Sequence, residues 1–204
     1  MNLIEEILHF WFEGIDDYTP INKGIAPFKK WFTKDLKFDE EIHVRFEEDL
    51  IKAKGGEYQA WQSSAKGSLA LTILFDQFSR NMYRGLPKMY QADAMALEIT
   101  LHAIKGALDT RLQLIERVFL YMPLIHSEVV AIQKLSLQFF GNLIVLSKAQ
   151  NPKNTSYFKK TFEYAKRHHE IIVTFGRFPH RNILLNRAST KDELEFLKNP
   201  GSRL

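Results

Sequence analysis

With 204 residues, 45% of them hydrophobic, the chain is long enough to bury one sizeable core and too apolar for a disordered segment. Its net charge of +4 arises from 28 basic and 24 acidic residues spread along the chain, with no basic block to track phosphates, so no nucleic-acid partner is expected. The lack of cysteine excludes disulfides, thiolate nucleophiles and zinc–thiolate sites, and fits a reducing, cytoplasmic setting.

The opening stretch MNLIEEILHFWFE has two glutamates and no basic leader, so it does not read as a signal peptide. No apolar run reaches the ~18–20 residues that cross a bilayer, and no membrane partner is expected. The first helix is predicted from Asn2 to Glu13, with Leu3, Ile4, Ile7, Leu8 and Trp11 on one face and Gly14 breaking it. The aromatic segment Phe28 to Phe32 follows. Asp39 is the expected N-cap of the next helix, which carries Ile42, Phe46, Leu50 and Ala53 and ends at Gly55-Gly56. The stretch SLALTILFDQFSRN is apolar on nearly every side and is expected at the centre of the core.

A helix from Pro87 to Lys105 presents a small-residue stripe, Ala92, Ala96 and Ala103, and Gly106 closes it. Leu112 to Met122 reads as a helix stopped by Pro123. Ser127 is the expected cap of the following helix, with Val130, Leu137, Phe140 and Ile144 inward. Asn154 to Phe175 reads as a long helix ended by Gly176, and Thr190 with Glu193 has capping-box spacing for a last short one. Period-two strand patterning is missing. Residues 1–204 therefore read as one all-α domain of antiparallel helical pairs in an array or bundle, with about eight to ten helices.

The candidate site residues lie in an echo. Gln77-Phe78-Ser79-Arg80-Asn81 and Phe178-Pro179-His180-Arg181-Asn182 each place Arg-Asn after a phenylalanine at a helix exit. Arginine offers a planar fork of donors suited to a carboxylate or phosphate, and asparagine donates and accepts together. Either arginine can equally serve to tie down helix carbonyls. Asp76, four residues before Arg80, interrupts an apolar run where a lone carboxylate is costly, so the two are expected to pair.

A second cluster, Tyr121 to Glu128, offers His126 as a general base with Glu128 beside it, or else a simple capping network. A third, Ala165 to Glu170, places His168 on the apolar stripe with Ala165 and Ile172, with Arg177 and His180 beyond the helix end. There is no HExxH or other fixed metal-ligand spacing, and no Walker, dinucleotide or GxSxG loop, so neither metal nor cofactor is expected.

Phe-Gly-Arg-Phe-Pro-His-Arg-Asn at 175–182, Asp-Gln-Phe-Ser-Arg-Asn at 76–81 and Met-Pro-Leu-Ile-His-Ser-Glu at 122–128 together resemble the bacterial family of domain of unknown function 924. Phe10-Trp11-Phe12, Trp31-Phe32 and Arg187 to Glu193 follow in matching order. The resemblance implies a helical fold similar to right-handed tetratricopeptide-like arrays, and it implies no activity. Against its pattern Ser79 replaces a proline, and Asn186 replaces a glycine. Pro179 sits in a tight aromatic turn of the kind that admits a cis bond.

Two readings follow. In the first, Arg80, Asn81, Arg177, His180, Arg181 and Asn182 line a pocket for a small anion or a carboxylate-bearing peptide end. In the second, an enzyme uses His126 or His168 as base, Glu128 or Asp76 to orient it, and the arginine pair to stabilise negative charge in hydrolase-type chemistry. A scaffold with no ligand is the third alternative, in which exposed Trp11, Trp31 or Trp61 would mark a homodimer surface.

Overall fold

A computed structural model describes residues 2–21 and 26–202, apart from the side chains of 26–28, so the Phe28 ring lies outside the described residues. Helix α1 (Leu3–Phe12) starts at a reciprocal Asn2–Glu5 capping box and ends in left-handed Glu13. After α2 (Ala26–Phe32) comes α3 (Leu36–Lys54), capped by Asp35 rather than Asp39. Asp35 Oδ1 accepts from the N–H groups of Lys37 and Phe38, which leaves Asp39 inside the first turn and buried. The expected glycine stop is present, with Gly56 at φ +88°.

The apolar stretch forms one continuous rod with an irregular centre. Helix α4 (Ala65–Thr72), capped by Ser64, passes through a π-helical segment, Ile73–Phe78, into α5 (Ser79–Met82). The register change is visible where the Ser79 N–H donates to the Leu74 carbonyl, five residues back. A 3-10 turn, Pro87–Tyr90, precedes α6 (Asp93–Lys105), so the helix predicted from Pro87 starts six residues later.

Helix α7 (Leu114–His126) does not stop at Pro123. Proline removes one helical hydrogen bond, but nearly every side chain of α7 is buried, and that packing holds the helix through the interruption. Helix α8 (Val130–Gln150) has Val129 at its N-cap with no side-chain cap, so Ser127 is not the cap. Phe140 is fully buried on it, whereas Val130 is exposed. By length and composition α8 is apolar enough to cross a membrane, contrary to the expectation that no segment would be. It is packed on α7 and α9 and buries Gln133, Ser136 and Ser147.

Helix α9 (Thr155–Phe175) ends at Gly176, φ +70°, and α10 (Lys191–Phe196) starts at the predicted Thr190–Glu193 capping box. No strand occurs among the described residues. The short links between α7, α8 and α9 impose antiparallel pairing.

Rings build the core. Phe46 lies 4.8 Å from Phe78, Trp11 5.5 Å from Phe119, and Trp31 4.8 Å from Phe119, mostly in edge-on or tilted contact. Trp11 and Trp31 are buried there and joined by a bond from Trp31 Nε1 to the Trp11 carbonyl. They therefore mark no dimer surface, and Trp61 stacks on Tyr58 at 4.3 Å. A smaller cluster of Ile171, Ile172 and Phe178 fastens the turn after α9 to the end of that helix.

Candidate functional site

The π segment, the end of α7 and the turn after α9 meet around one hollow of about 270 Å³. The extra residue in the π turn shifts the register, and Asp76 ends up fully buried. Arg80 Nη1 lies 2.9 Å from Asp76 Oδ1, as the four-residue spacing predicts. The continuation of α7 through Pro123 brings His126 Nδ1 to 2.7 Å from the same oxygen. Arg80 also grips Asp93, the first residue of α6, through two bonds of 2.9 and 3.1 Å.

Arg181 arrives from the 3-10 turn Pro179–Arg181. Its Nη1 is 3.3 Å from Asp93 and its Nη2 donates to the His126 carbonyl at 3.0 Å. The guanidinium stands 4.7 Å from the Tyr90 ring centre and 4.5 Å from that of Phe178, which restricts its rotation. Its side chain is 8% exposed and its buried Nε has no hydrogen-bond partner among the described residues. The two arginines of the echoed motifs thus share one carboxylate beside one hollow.

His168, from α9, donates from Nδ1 to the Tyr164 carbonyl at 2.8 Å, and its ring centre is 6.1 Å from that of His126. His180 lines the hollow as well, with its buried Nδ1 unpartnered among the described residues. Asn81 reaches the hollow but commits its amide nitrogen to Asp39 at 2.8 Å, beside Arg84, which takes both oxygens of that carboxylate.

Four predicted site residues do not line the hollow: Asp76, buried behind Arg80, and Arg177, Asn182 and Glu128. Arg177 is clamped on Glu193 by bonds of 2.6 and 2.8 Å. Asn182 donates to Ser189 and Glu193. Glu128 accepts the Phe178 N–H and two bonds from Arg187, so it does not orient a histidine. Ser127 merely accepts from the Val129 N–H. These groups hold the turn that carries Arg181. Each lies near the right place in sequence, but a nearby carboxylate or guanidinium takes up its side chain.

Sequence reading missed Lys34, Arg84, Tyr90, Asp93 and Tyr164. Arg84 and Tyr164 had a signal, standing four residues from Arg80 and His168; Asp93 had none. Pro179 is trans, since no cis bond occurs among the described residues. No group of three histidine or acidic side chains among them is placed to hold a metal ion.

The electrostatics follow from burial. Desolvation would raise Asp76, but Arg80 and then His126 outweigh it and hold the carboxyl at about 2. Burial lowers His126, helped by the Arg80 charge and opposed by Asp76. His168 is pushed well below its ordinary value by burial, then by His126. Burial, then Arg181, lowers His180 to about 4. All three rings are therefore neutral at pH 7.

A model of the family described as bacterial protein of unknown function, DUF924, matches residues 7–201. The chain belongs to this family. A solved structure of a protein of unknown function from Agrobacterium tumefaciens is 33% identical to this DUF924 chain, covering 96% of it and 97% of the other at a TM-score of 0.79. Comparison with curated proteins gave no match. Asn186 sits at φ +52°, a left-handed conformation that asparagine tolerates better than most residues. Ser79 returns its hydroxyl to the Phe75 carbonyl at 2.5 Å.

Proposed function

We propose that this DUF924 protein is a binding module, built of tetratricopeptide-like helical pairs, whose hollow takes a small anion. The observation that carries the reading is the lining. Lys34, Arg80, Arg84 and Arg181 face the hollow, and no carboxylate does among the described residues. Asp76, Asp93 and Asp39 stand behind the arginines. Burial, then the Arg80 charge beside it, lowers the pKa of Arg181, as befits a cation short of anionic neighbours. A carboxylate or phosphate would supply the missing acceptor. Trp31, Phe32 and Met89 provide apolar wall for the rest of a ligand.

Calorimetric titration with phosphate, sulfate and small carboxylates tests this. At least one should bind and raise the melting temperature, and Arg181→Ala should weaken it by about 1–3 kcal/mol. Because Arg181 also supports the His126 carbonyl, Lys34→Ala, on an exposed side chain, provides the control that leaves the fold intact. The reading fails if no anion stabilises the protein.

The Asp76–His126 contact favours a second reading, in which the same hollow is catalytic. A neutral imidazole with its Nδ1 proton held by a buried carboxylate is a general base, and Arg80 and Arg181 would stabilise developing negative charge. Turnover of a bound anion that His126→Gln abolishes without abolishing binding would support it. Binding without turnover would leave the module alone.

A further inference from the structure

The hydrogen-bonding roles of two histidines define the ligand more narrowly. An ionised carboxylate only accepts, so the 2.7 Å contact to Asp76 requires the proton of His126 on Nδ1. A carbonyl only accepts, so the 2.8 Å contact of His168 with Tyr164 requires the same of its Nδ1. A neutral ring has one N–H. Both Nε2 atoms are consequently bare lone pairs, and no hydrogen bond among the described residues reaches either. His126 and His168 both line the hollow, with ring centres 6.1 Å apart.

The same wall carries guanidinium and ammonium groups that can only donate. One wall thus offers donors for an anionic group next to two acceptors that an anionic oxygen cannot satisfy. His180 carries no part of this argument, because nothing fixes its tautomer.

We infer that the anion this hollow selects bears a hydroxyl next to its charged group, with the charged oxygens on Arg80 and Arg181 and the hydroxyl donating to Nε2 of His126 or His168. This rests on the anion-binding reading and narrows it to hydroxy acids and hydroxylated phosphate monoesters. An unsubstituted anion of equal size would leave the bare nitrogens facing its apolar carbon, and a hydroxyl would pair with them.

Matched pairs test it by calorimetry on the full chain: propionate against lactate, succinate against malate, and ethyl phosphate against 2-hydroxyethyl phosphate. The carboxylate and phosphate arms show which charged group is preferred. In at least one binding pair the hydroxylated member should bind about fivefold tighter or more. His126→Phe or His168→Phe, whichever ring accepts the hydroxyl, should shrink that gap below about twofold, and a gap that survives both substitutions overturns the inference. Long-range nitrogen–proton correlation NMR of the wild-type protein supplies a readout that no misfolded variant can obscure, and it should show His126 and His168 protonated on Nδ1. Equal affinity within every binding pair, or protonation on Nε2, overturns the inference while leaving the anion pocket standing. If no member of any pair binds, both readings fall.

Discussion

Asp76 is completely buried, and the three side chains that meet its carboxylate are all nitrogen donors: Gln77 and Arg80 from its own rod and His126 from α7. Breaking one side of a buried pair leaves an uncompensated charge, typically at about 3–5 kcal/mol. Arg80 keeps Asp93, so the cost of Asp76→Asn should fall near the low end, about 3 kcal/mol, read from urea unfolding. A loss under about 1 kcal/mol would mean that Asp93 alone neutralises Arg80. The pairing of Asp76 with Arg80 was legible from their spacing. For His126 the sequence offered Asp76 or Glu128 as its orienting carboxylate, and only packing across 50 residues chose Asp76.

At the level of elements, two irregularities shape the site: the π segment that sets Asp76, and the proline that α7 absorbs to reach His126. Neither has a local sequence marker, since LTILFDQF reads as ordinary helix and Pro123 reads as a stop. A third element feature gives a test with an unusual sign. Gly67 sits in the first turn of α4, where an added Cβ would meet the Trp61 carbonyl, a backbone atom that cannot swing away. Glycine to alanine in an exposed helix gains about 1 kcal/mol, but Gly67→Ala should instead destabilise by about 1–3 kcal/mol in thermal unfolding. A stabilised variant would show that the chain before α4 yields easily.

For the whole molecule, acid should unfold the protein in two successive windows. His126, His168 and His180 are held below their ordinary 6.5, His180 at about 4, so the unfolded chain takes up these protons first. Stability present above pH 6.5 is therefore lost as pH falls toward 4. Asp76 and Glu193 are held at about 2, against ordinary values of 3.8 and 4.5, and their contribution disappears as pH falls from 4.5 toward 2. Urea midpoints should drop steadily between about pH 7 and pH 5, above the window in which Asp76 and Glu193 act. A flat profile across that span would mean that the buried rings are not held neutral.

The sequence by itself determined the helical class, most helix positions, the extent of α9, the start of α10 and the kinship with DUF924. Those depend on periodicity, caps and short motifs, which act within a few residues. It also pointed to Arg80, Arg181, His126, His168 and His180, which do line one hollow. Only the tertiary structure decided that Arg177, Asn182 and Glu128 are spent on the turn after α9 while Asp93 joins the two arginines. A charged side chain is used up by whichever opposite charge packing brings within about 3 Å, and packing joins residues whose separation in the chain carries no information about their meeting.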